Sequence, residues 1–381
     1  MNQNLLKKIT DVLQENIKGN TFAGANVLIC QNGEEEFYSQ AGFADLENNI
    51  PISRDTIFRI YSMTKPITGA AVIKLAQTGD IDLQDPVSKY ISGFKNQQVV
   101  TESGRVSVNR DVTVMDLLGM TSGLPYPYTG RPIDKDISEA YFEAGKNNDD
   151  TIRFADRLGE CGLDFQPGDM YCYGTSADIA GAVVEVVTGK KFGDYLKDEF
   201  FAPLGMDDTG FYVPEEKQRR LAQTYMRTDG GLKLFTGDHL LVTNRLKTPP
   251  VFESGGAGLA STADDYMKFA NMLQNGGELN GKRIMSKAAV SFFTTPQLNK
   301  YQQKSFNLGY NYGRFMRHLQ DTGQSPYMAC AGEYGWDGWL GTFFSNEKGN
   351  GISVVFMTQV TDSGKLPVVH RIKNIVASAA E

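Results

Sequence analysis

The chain of 381 residues is long enough for one large hydrophobic core or for two domains. Its composition, 41% hydrophobic and 22% charged, is that of an ordinary soluble globular protein without repeats or low-complexity stretches. The net charge of −7 comes without any Lys- or Arg-rich block, which argues against nucleic acid or an anionic membrane as a partner.

The N-terminal segment predicts an amphipathic helix and not a targeting signal. Apolar residues recur at helical spacing through residues 1–20, with charges between them, and the apolar core of a signal peptide is missing. No run of 18 apolar residues indicates a membrane helix. We therefore expect a cytoplasmic chain, unless a leader has been removed.

Cysteine and histidine do not indicate a metal site. The cysteines lack metal-type spacing and are expected to be buried free thiols, at Cys30, Cys161, Cys172 and Cys330. The histidines lie far apart in sequence, at His239, His318 and His370. No serine stands in a Gly-x-Ser-x-Gly motif. We expect neither a metal nor a cofactor.

Two strands are predicted near the start of the chain, at 25–31 and 36–40. Asn32-Gly33 joins them, a pair typical of a hairpin turn. A later extended run of β-branched and aromatic residues gives way at Ser62 to a helical pattern that ends near Gly79. The sequence therefore predicts that Ser62 opens a helix.

The Ser62–Lys65 pair is the main candidate for chemistry. Residues three apart share one face of a helix, so the Lys65 amine lies within reach of the Ser62 hydroxyl. A desolvated lysine of lowered pKa can take the proton of a serine and make it a nucleophile. The helix N-terminus adds partial positive charge where an oxyanion forms. Such a pair can carry out acyl transfer without histidine.

The Ser-x-x-Lys spacing alone is too short to be specific. It occurs again at 345–348, just before Gly349-Asn350-Gly351, a hairpin-turn signal between apolar runs. There the two side chains do not share a helical face, and we interpret the segment as a solvated turn. The local context of Ser62 is what separates it from this second occurrence.

The remainder of the chain predicts helices followed by strands. Residues 80–250 are mostly helices and loops, whereas strand-like runs return at 338–344 and 352–359, before a final helix. Strands at both ends with helices between them indicate an α/β domain built from both termini. We predict that this domain comprises 1–80 and 250–381, with an inserted, mainly helical domain at 81–249.

Four motifs in order resemble the serine β-lactamase and penicillin-binding-protein superfamily. They are the segments 61–65, 117–124, 167–174 and 255–262. Within the superfamily the chain is most similar to the class C β-lactamase-related esterases of the family VIII carboxylesterase type. The resemblance implies a β-lactamase-like α/β (α+β) fold, in which an antiparallel sheet flanked by helices carries an inserted helical domain.

The resemblance also implies roles for residues distant in sequence. A tyrosine of the helical domain acts as general acid and base beside the Ser-x-x-Lys pair, and Tyr173 matches it. The third motif, on a strand beside the site, matches Trp336-Asp337-Gly338. Backbone N–H groups of Ser62 and Trp339 would then form the oxyanion hole. Tyr171, two residues before Tyr173, is expected to be a packing residue.

Departures from the family pattern bear on the substrate. In lactamases the third motif carries a cation that holds the substrate carboxylate, whereas Trp336 is apolar and Asp337 would repel an anion. We therefore expect Trp336, Asp337 and Gly338 to bind a neutral acyl substrate. Tyr126 and Tyr128, with Arg131 nearby, are expected in a loop at the pocket mouth.

The sequence thus predicts a serine hydrolase that acts on small acyl esters through an acyl-enzyme, with Ser62, Lys65 and Tyr173 as catalytic residues. A β-lactamase, a D-amino-acid peptidase or an acyltransferase of the same superfamily remains the alternative. A catalytically inactive binding protein is the least favoured interpretation. The only partner predicted is a small-molecule acyl substrate, and the oligomeric state is left open.

Overall fold

The computed structural model describes residues 1–364 and 366–380. Its helices are α1 (Gln3–Leu6), α2 (Lys8–Lys18), α3 (Thr64–Thr78), α4 (Val114–Gly119), α5 (Asp134–Asn147), α6 (Thr151–Cys161), α7 (Ser176–Thr188), α8 (Phe192–Leu196), α9 (Ala202–Leu204), α10 (Ala263–Gln274), α11 (Lys287–Phe293) and α12 (Pro367–Ala379). Its strands are β1 (Gly24–Gln31), β2 (Glu34–Asp45), β3 (Ile50–Pro51), β4 (Phe58–Arg59), β5 (Gln98–Thr101), β6 (Gly104–Ser107), β7 (Thr224–Thr228), β8 (Gly231–Phe235), β9 (Ala260–Ser261), β10 (Glu278–Leu279), β11 (Lys282–Arg283), β12 (Tyr310–Gly313), β13 (Met316–Leu319), β14 (Tyr334–Asp337), β15 (Phe343–Glu347) and β16 (Ile352–Thr358).

In the described part of the chain, the largest sheet has eight antiparallel strands in the order β12-β13-β14-β15-β16-β1-β2-β3. Strand β1 lies between β2 and β16, so both ends of the chain contribute to one sheet. The β1–β2 turn places Asn32 and Gly33 at φ of 52° and 85°, the left-handed values that the predicted hairpin turn requires. The predicted α/β fold with an antiparallel sheet flanked by helices is confirmed.

Both faces of the sheet are covered by helices. Successive residues of a strand point to opposite faces, and β1 shows this clearly. Val27 and Ile29 pack into a core that includes residues of α1, α2 and α12. Leu28 and Cys30 pack into the larger core, which includes residues of α3, α10 and the helices of the middle region. Helix α3, which follows Ser62, is therefore buried between the sheet and the middle region.

The middle region packs helix against helix. Helix α7 contacts α3, α4 and α6, which fixes the segment before α7 next to the start of α3. Two hairpins, β5–β6 and β7–β8, also lie in this region and were not predicted from the sequence. The division into 1–80 with 250–381 and an inserted 81–249 stays a prediction.

Two local predictions are wrong, and one hairpin was not predicted. The expected strand at 338–344 begins only at Phe343, because the Gly338 N–H donates to the Thr342 carbonyl (2.7 Å) and closes a turn. The β12–β13 hairpin was missed, since Arg314 and Phe315 occupy its turn with positive φ and are not typical turn residues. Ser345 does not lie in a solvated turn: it is buried on β15, and its Oγ accepts a hydrogen bond from Lys373.

Within the ranges that the structure describes, no helix is long and apolar enough to cross a membrane.

Candidate active site

Ser62 lies at the turn that leads from β4 into α3. Strand β4 pairs with β9, and a 3₁₀ turn at Tyr61–Met63 follows before α3 begins at Thr64. Tyr61 has φ of 43°, a left-handed conformation that costs about 1–2 kcal/mol for a residue other than glycine. Its ring packs against Trp339, with ring centres 5.0 Å apart. This packing holds the strained turn and presents Ser62 beside Trp339.

Lys65 is fully buried beneath Ser62, one helical turn further along the chain. Its Nζ donates hydrogen bonds to Ser62 Oγ (3.1 Å), to the Tyr126 hydroxyl (3.0 Å) and to the Gly256 carbonyl (2.7 Å). An ammonium has three N–H donors, so every one of them has an acceptor here. The amine is thereby fixed in one orientation toward the serine.

Two opposing effects act on the pKa of Lys65. Burial lowers the pKa because the ammonium loses water, whereas the phenols of Tyr126 and Tyr173 raise it. The phenols prevail, and the pKa of Lys65 lies above its ordinary value. Burial likewise raises the pKa of the Tyr126 phenol well above 10. The expectation of a lowered lysine pKa is therefore wrong, and at neutral pH Lys65 is an ammonium beside a protonated phenol.

Tyr173 and Tyr126 reach Lys65 from two adjacent segments. The Thr175 N–H donates to the Leu124 carbonyl (3.1 Å), so the segment before α7 runs beside the segment after α4. The Tyr173 ring lies 4.7 Å from Lys65 Nζ, and its hydroxyl accepts a hydrogen bond from Trp336 Nε1 (3.2 Å). Tyr173 is thus held between Lys65, which lies against its ring, and the Trp336 indole, which binds its hydroxyl.

The turn after β14 lies directly against the residue pair before Ser62. A Cβ at Gly338 would clash with the Ile60 carbonyl and with Thr342 Oγ1, so only glycine fits this approach. Among the residues that the structure describes, no backbone carbonyl accepts the Trp339 N–H. That donor is accordingly available beside Ser62, where the predicted oxyanion hole requires it.

A cavity of about 1090 Å³ opens in front of Ser62. All of the predicted site residues except Lys65 line it: Ser62, Tyr126, Tyr128, Tyr173, Trp336, Asp337, Gly338 and Trp339. Asp337 Oδ2 forms an ion pair with Arg317 Nη1 (2.7 Å), on the neighbouring strand. The structure thus gathers residues that are up to 277 positions apart in sequence around one cavity.

The structure places two residues, Tyr126 and Arg131, differently from the sequence prediction. Tyr126 was expected at the mouth, but its hydroxyl lies deep in the site on Lys65. Tyr128 does lie at the mouth and is 88% exposed. Arg131 is not among the described lining residues and forms an ion pair with Asp164. Tyr171 packs on Phe306, as a packing residue should, and also lines the cavity.

Sequence reasoning missed two further groups near the site. Asp178, on α7, accepts hydrogen bonds from Ser254 Oγ (2.6 Å) and from the Gly256 N–H (3.0 Å), so it supports the peptide that binds Lys65. His239 stacks on the Trp339 indole with ring centres 4.1 Å apart. The glycine-rich segment 255–258 is the sequence signal that could have indicated the Asp178 contact, whereas no local signal marks His239.

The described residues contain no group of three or more His, Cys, Asp or Glu side chains placed to hold a metal ion. The chemistry available from the residues present is nucleophilic attack by a serine, proton transfer through a lysine and two phenols, and hydrogen bonding to an oxyanion.

Known proteins are similar to this chain over nearly its whole length. A family model described as Beta-lactamase matches residues 9–377. Esterase EstB of Burkholderia gladioli is 28% identical over 381 residues, which cover 94% of this chain and 92% of EstB. Protein Rv1367c of Mycobacterium tuberculosis (strain ATCC 25618 / H37Rv) is 29% identical over 351 residues, with coverage of 88% and 86%.

A solved structure described as "EstCE1, a hydrolase with promiscuous acyltransferase activity" superposes with a TM-score of 0.84 at 23% identity, covering 98% of this chain and 99% of that one. The fold and these similarities define a serine hydrolase of the β-lactamase and penicillin-binding-protein superfamily. The chain belongs to the beta-lactamase family.

Proposed function

We propose that the chain is an esterase that hydrolyses esters of small acyl groups through an acyl-enzyme on Ser62. The observation that carries the proposal is the 3.1 Å contact between Lys65 Nζ and Ser62 Oγ, at the floor of an open cavity. The printed name of the relative EstB, an esterase, supports the same reaction class.

Each chemical step has a group in place. Ser62 Oγ attacks the ester carbonyl. Its proton passes to the hydrogen-bonded pair of Lys65 and the Tyr126 phenol, here called the Lys65–phenol group, once that pair has lost a proton. The ammonium of Lys65 and the N–H groups of Ser62 and Trp339 stabilise the negative oxygens that form. Tyr173 then gives a proton to the departing alcohol oxygen. Water enters along the reverse path and releases the acid, which regenerates Ser62.

Charge in the cavity favours a neutral ester over a penicillin. Trp336 stands on the strand beside Ser62, and its indole bonds to Tyr173. Arg317, the one Lys or Arg among the described lining residues, is already paired with Asp337. A substrate carboxylate would therefore find no unpaired cation among the described residues of the wall.

The proposal is tested by turnover of p-nitrophenyl acetate and of nitrocefin on the same preparation. A hydrogen bond to a charged group contributes about 1.5–3 kcal/mol. Because the carboxylate of nitrocefin finds no unpaired cation to bind, we expect kcat/KM for nitrocefin to be lower by about 10-fold to 100-fold or more. Nitrocefin turnover above ester turnover, or a long-lived penicillin adduct without ester turnover, would contradict the proposal. Failure of both substrates and of a fluorophosphonate label would indicate an inactive binding protein.

The rate of ester hydrolysis is expected to rise with pH. The proton acceptor is the Lys65–phenol group in its deprotonated form, and the pKa values of Lys65 and Tyr126 both lie above their ordinary values. At neutral pH only a small fraction is deprotonated, and that fraction grows about tenfold per pH unit. We expect kcat/KM to increase between about pH 6 and pH 9, after subtraction of uncatalysed hydrolysis.

A matched variant links this profile to Tyr126. Tyr126→Phe removes a phenol that raises the pKa of Lys65, so the profile should move toward lower pH. A wild-type profile that is flat, or that peaks near pH 7, would show that a different base operates.

A further inference from the structure

The cavity is much larger than an acetyl group or a short acyl chain requires. Ligand pockets that enclose drug-sized molecules have volumes of about 300–1000 Å³, and this one reaches about 1090 Å³. If the ester carries a small acyl group, most of the volume has to accommodate the alcohol part. The walls on the alcohol side therefore indicate the class of alcohol.

The alcohol side can be located from Tyr173. A proton donor to the departing oxygen has to lie within hydrogen-bond distance of it, so the alcohol part begins next to the Tyr173 hydroxyl. From there the wall continues through Trp336, whose ring centre is 5.5 Å from that of Tyr173. Tyr171 and Phe306, with ring centres 4.8 Å apart, extend the lining further.

Tyr312 makes this wall rigid. It is fully buried behind the lining and packs edge-on against Trp336, Tyr171 and Phe306, with centre distances of 5.0, 4.9 and 5.5 Å. Aromatic pairs of this geometry contribute beyond their buried area and leave few alternative arrangements. The result is a preformed apolar surface, here called the aromatic wall, comprising Tyr173, Trp336, Tyr171 and Phe306.

The cavity mouth beyond the aromatic wall is also apolar. Tyr128 and Leu308 both line the cavity, although 88% and 81% of their surfaces are exposed. Large apolar side chains left in water at the mouth of a cavity mark a binding surface for an apolar ligand. Asp238 is the charged residue exposed at this cavity, and it would repel an anion.

Resting on the proposed function, we propose that the substrates are esters whose alcohol part is bulky, uncharged and ring-containing, bound along the aromatic wall. Burial of each further ring against that wall lowers the free energy of the bound state. A carboxylate on the ring system would lose this advantage, because the described lining residues offer it no unpaired cation and Asp238 adds negative charge to the same cavity.

Four acetate esters test the proposal. The alcohol parts are phenol, 2-naphthol, 6-carboxy-2-naphthol and the methyl ester of the last, which matches its size without the charge. We expect kcat/KM for 2-naphthyl acetate to exceed that for phenyl acetate by about tenfold or more. The carboxylate should fall about tenfold or more below its methyl ester. Equal kcat/KM values for the naphthyl and phenyl esters, or for the carboxylate and its methyl ester, would overturn the proposal. Absence of turnover with all of the acetates would instead refute the proposed esterase activity.

A pair of variants assigns the preference to the wall. Phe306→Ala should reduce the naphthyl-to-phenyl ratio of kcat/KM to about threefold or less, because the second ring loses more contact with the wall than the first. Tyr301→Ala is the control, because Tyr301 lies on the same loop, is 66% exposed and is not among the described lining residues. Phe306→Leu, which keeps an apolar side chain, replaces the alanine variant if thermal melting shows loss of fold. An unchanged ratio in a folded Phe306 variant would refute the role of the wall.

Discussion

Ser62→Ala is expected to lower ester hydrolysis by about 10⁴-fold or more, since removal of a serine nucleophile eliminates the acyl-enzyme path. The measurement is turnover of p-nitrophenyl acetate together with intact mass after incubation with a fluorophosphonate. Wild-type protein should gain one adduct, and the variant none. The substitution removes the reacting oxygen and its hydrogen bond from Lys65, while the rest of the pocket is unchanged.

The matched control is Ser345→Ala. Ser345 stands at the same spacing from a lysine in the sequence, but its Oγ binds Lys373 (3.1 Å) on the face of the sheet that packs on α12. This variant should retain ester turnover and labelling. Turnover retained by a folded Ser62→Ala variant would show that another nucleophile operates and would remove the basis of the proposed mechanism.

Tyr173→Phe is expected to have the second largest effect, about 10²-fold to 10⁴-fold on kcat/KM, the range typical of a general acid–base residue. The ring keeps its packing against Trp336, while the hydroxyl that accepts the Trp336 N–H is lost. The loss should be larger for an alkyl ester than for a p-nitrophenyl ester, because nitrophenolate leaves without being protonated. A structural role alone would not produce this dependence on the leaving group.

Tyr171→Phe is the control for this prediction. Tyr171 lies two residues earlier, lines the same cavity and packs on Phe306 and Tyr312 through its ring. Its variant should stay within about threefold of wild type for both esters. Equal effects of the two substitutions, or a Tyr173→Phe loss that ignores the leaving group, would argue that Tyr173 only packs the site.

Parts of the fold that depend on local pattern were predictable. The β1–β2 hairpin follows from Asn32-Gly33, and α3 follows from an apolar helical pattern that ends at Gly79, where φ is 81°. Turns built from atypical residues were not predictable. Arg314 and Phe315 take left-handed conformations because the β12–β13 pairing holds them there, which no single-residue preference indicates.

The Ser62–Lys65 pair is local, since it needs only the geometry of one helical turn, and the sequence by itself determined that it would form. Strands at both ends of the chain predicted one α/β domain built from both termini, and its antiparallel sheet was predicted from the Asn32-Gly33 hairpin and the family resemblance. Tertiary structure alone decided the environment of the lysine: Tyr126 is 61 positions away and Gly256 is 191 positions away. Such contacts arise only when helices and sheet pack, because the fold and not the spacing brings distant backbone and phenol oxygens to one amine. For this reason the expected lowered pKa of Lys65 was wrong, while its position beside Ser62 was right.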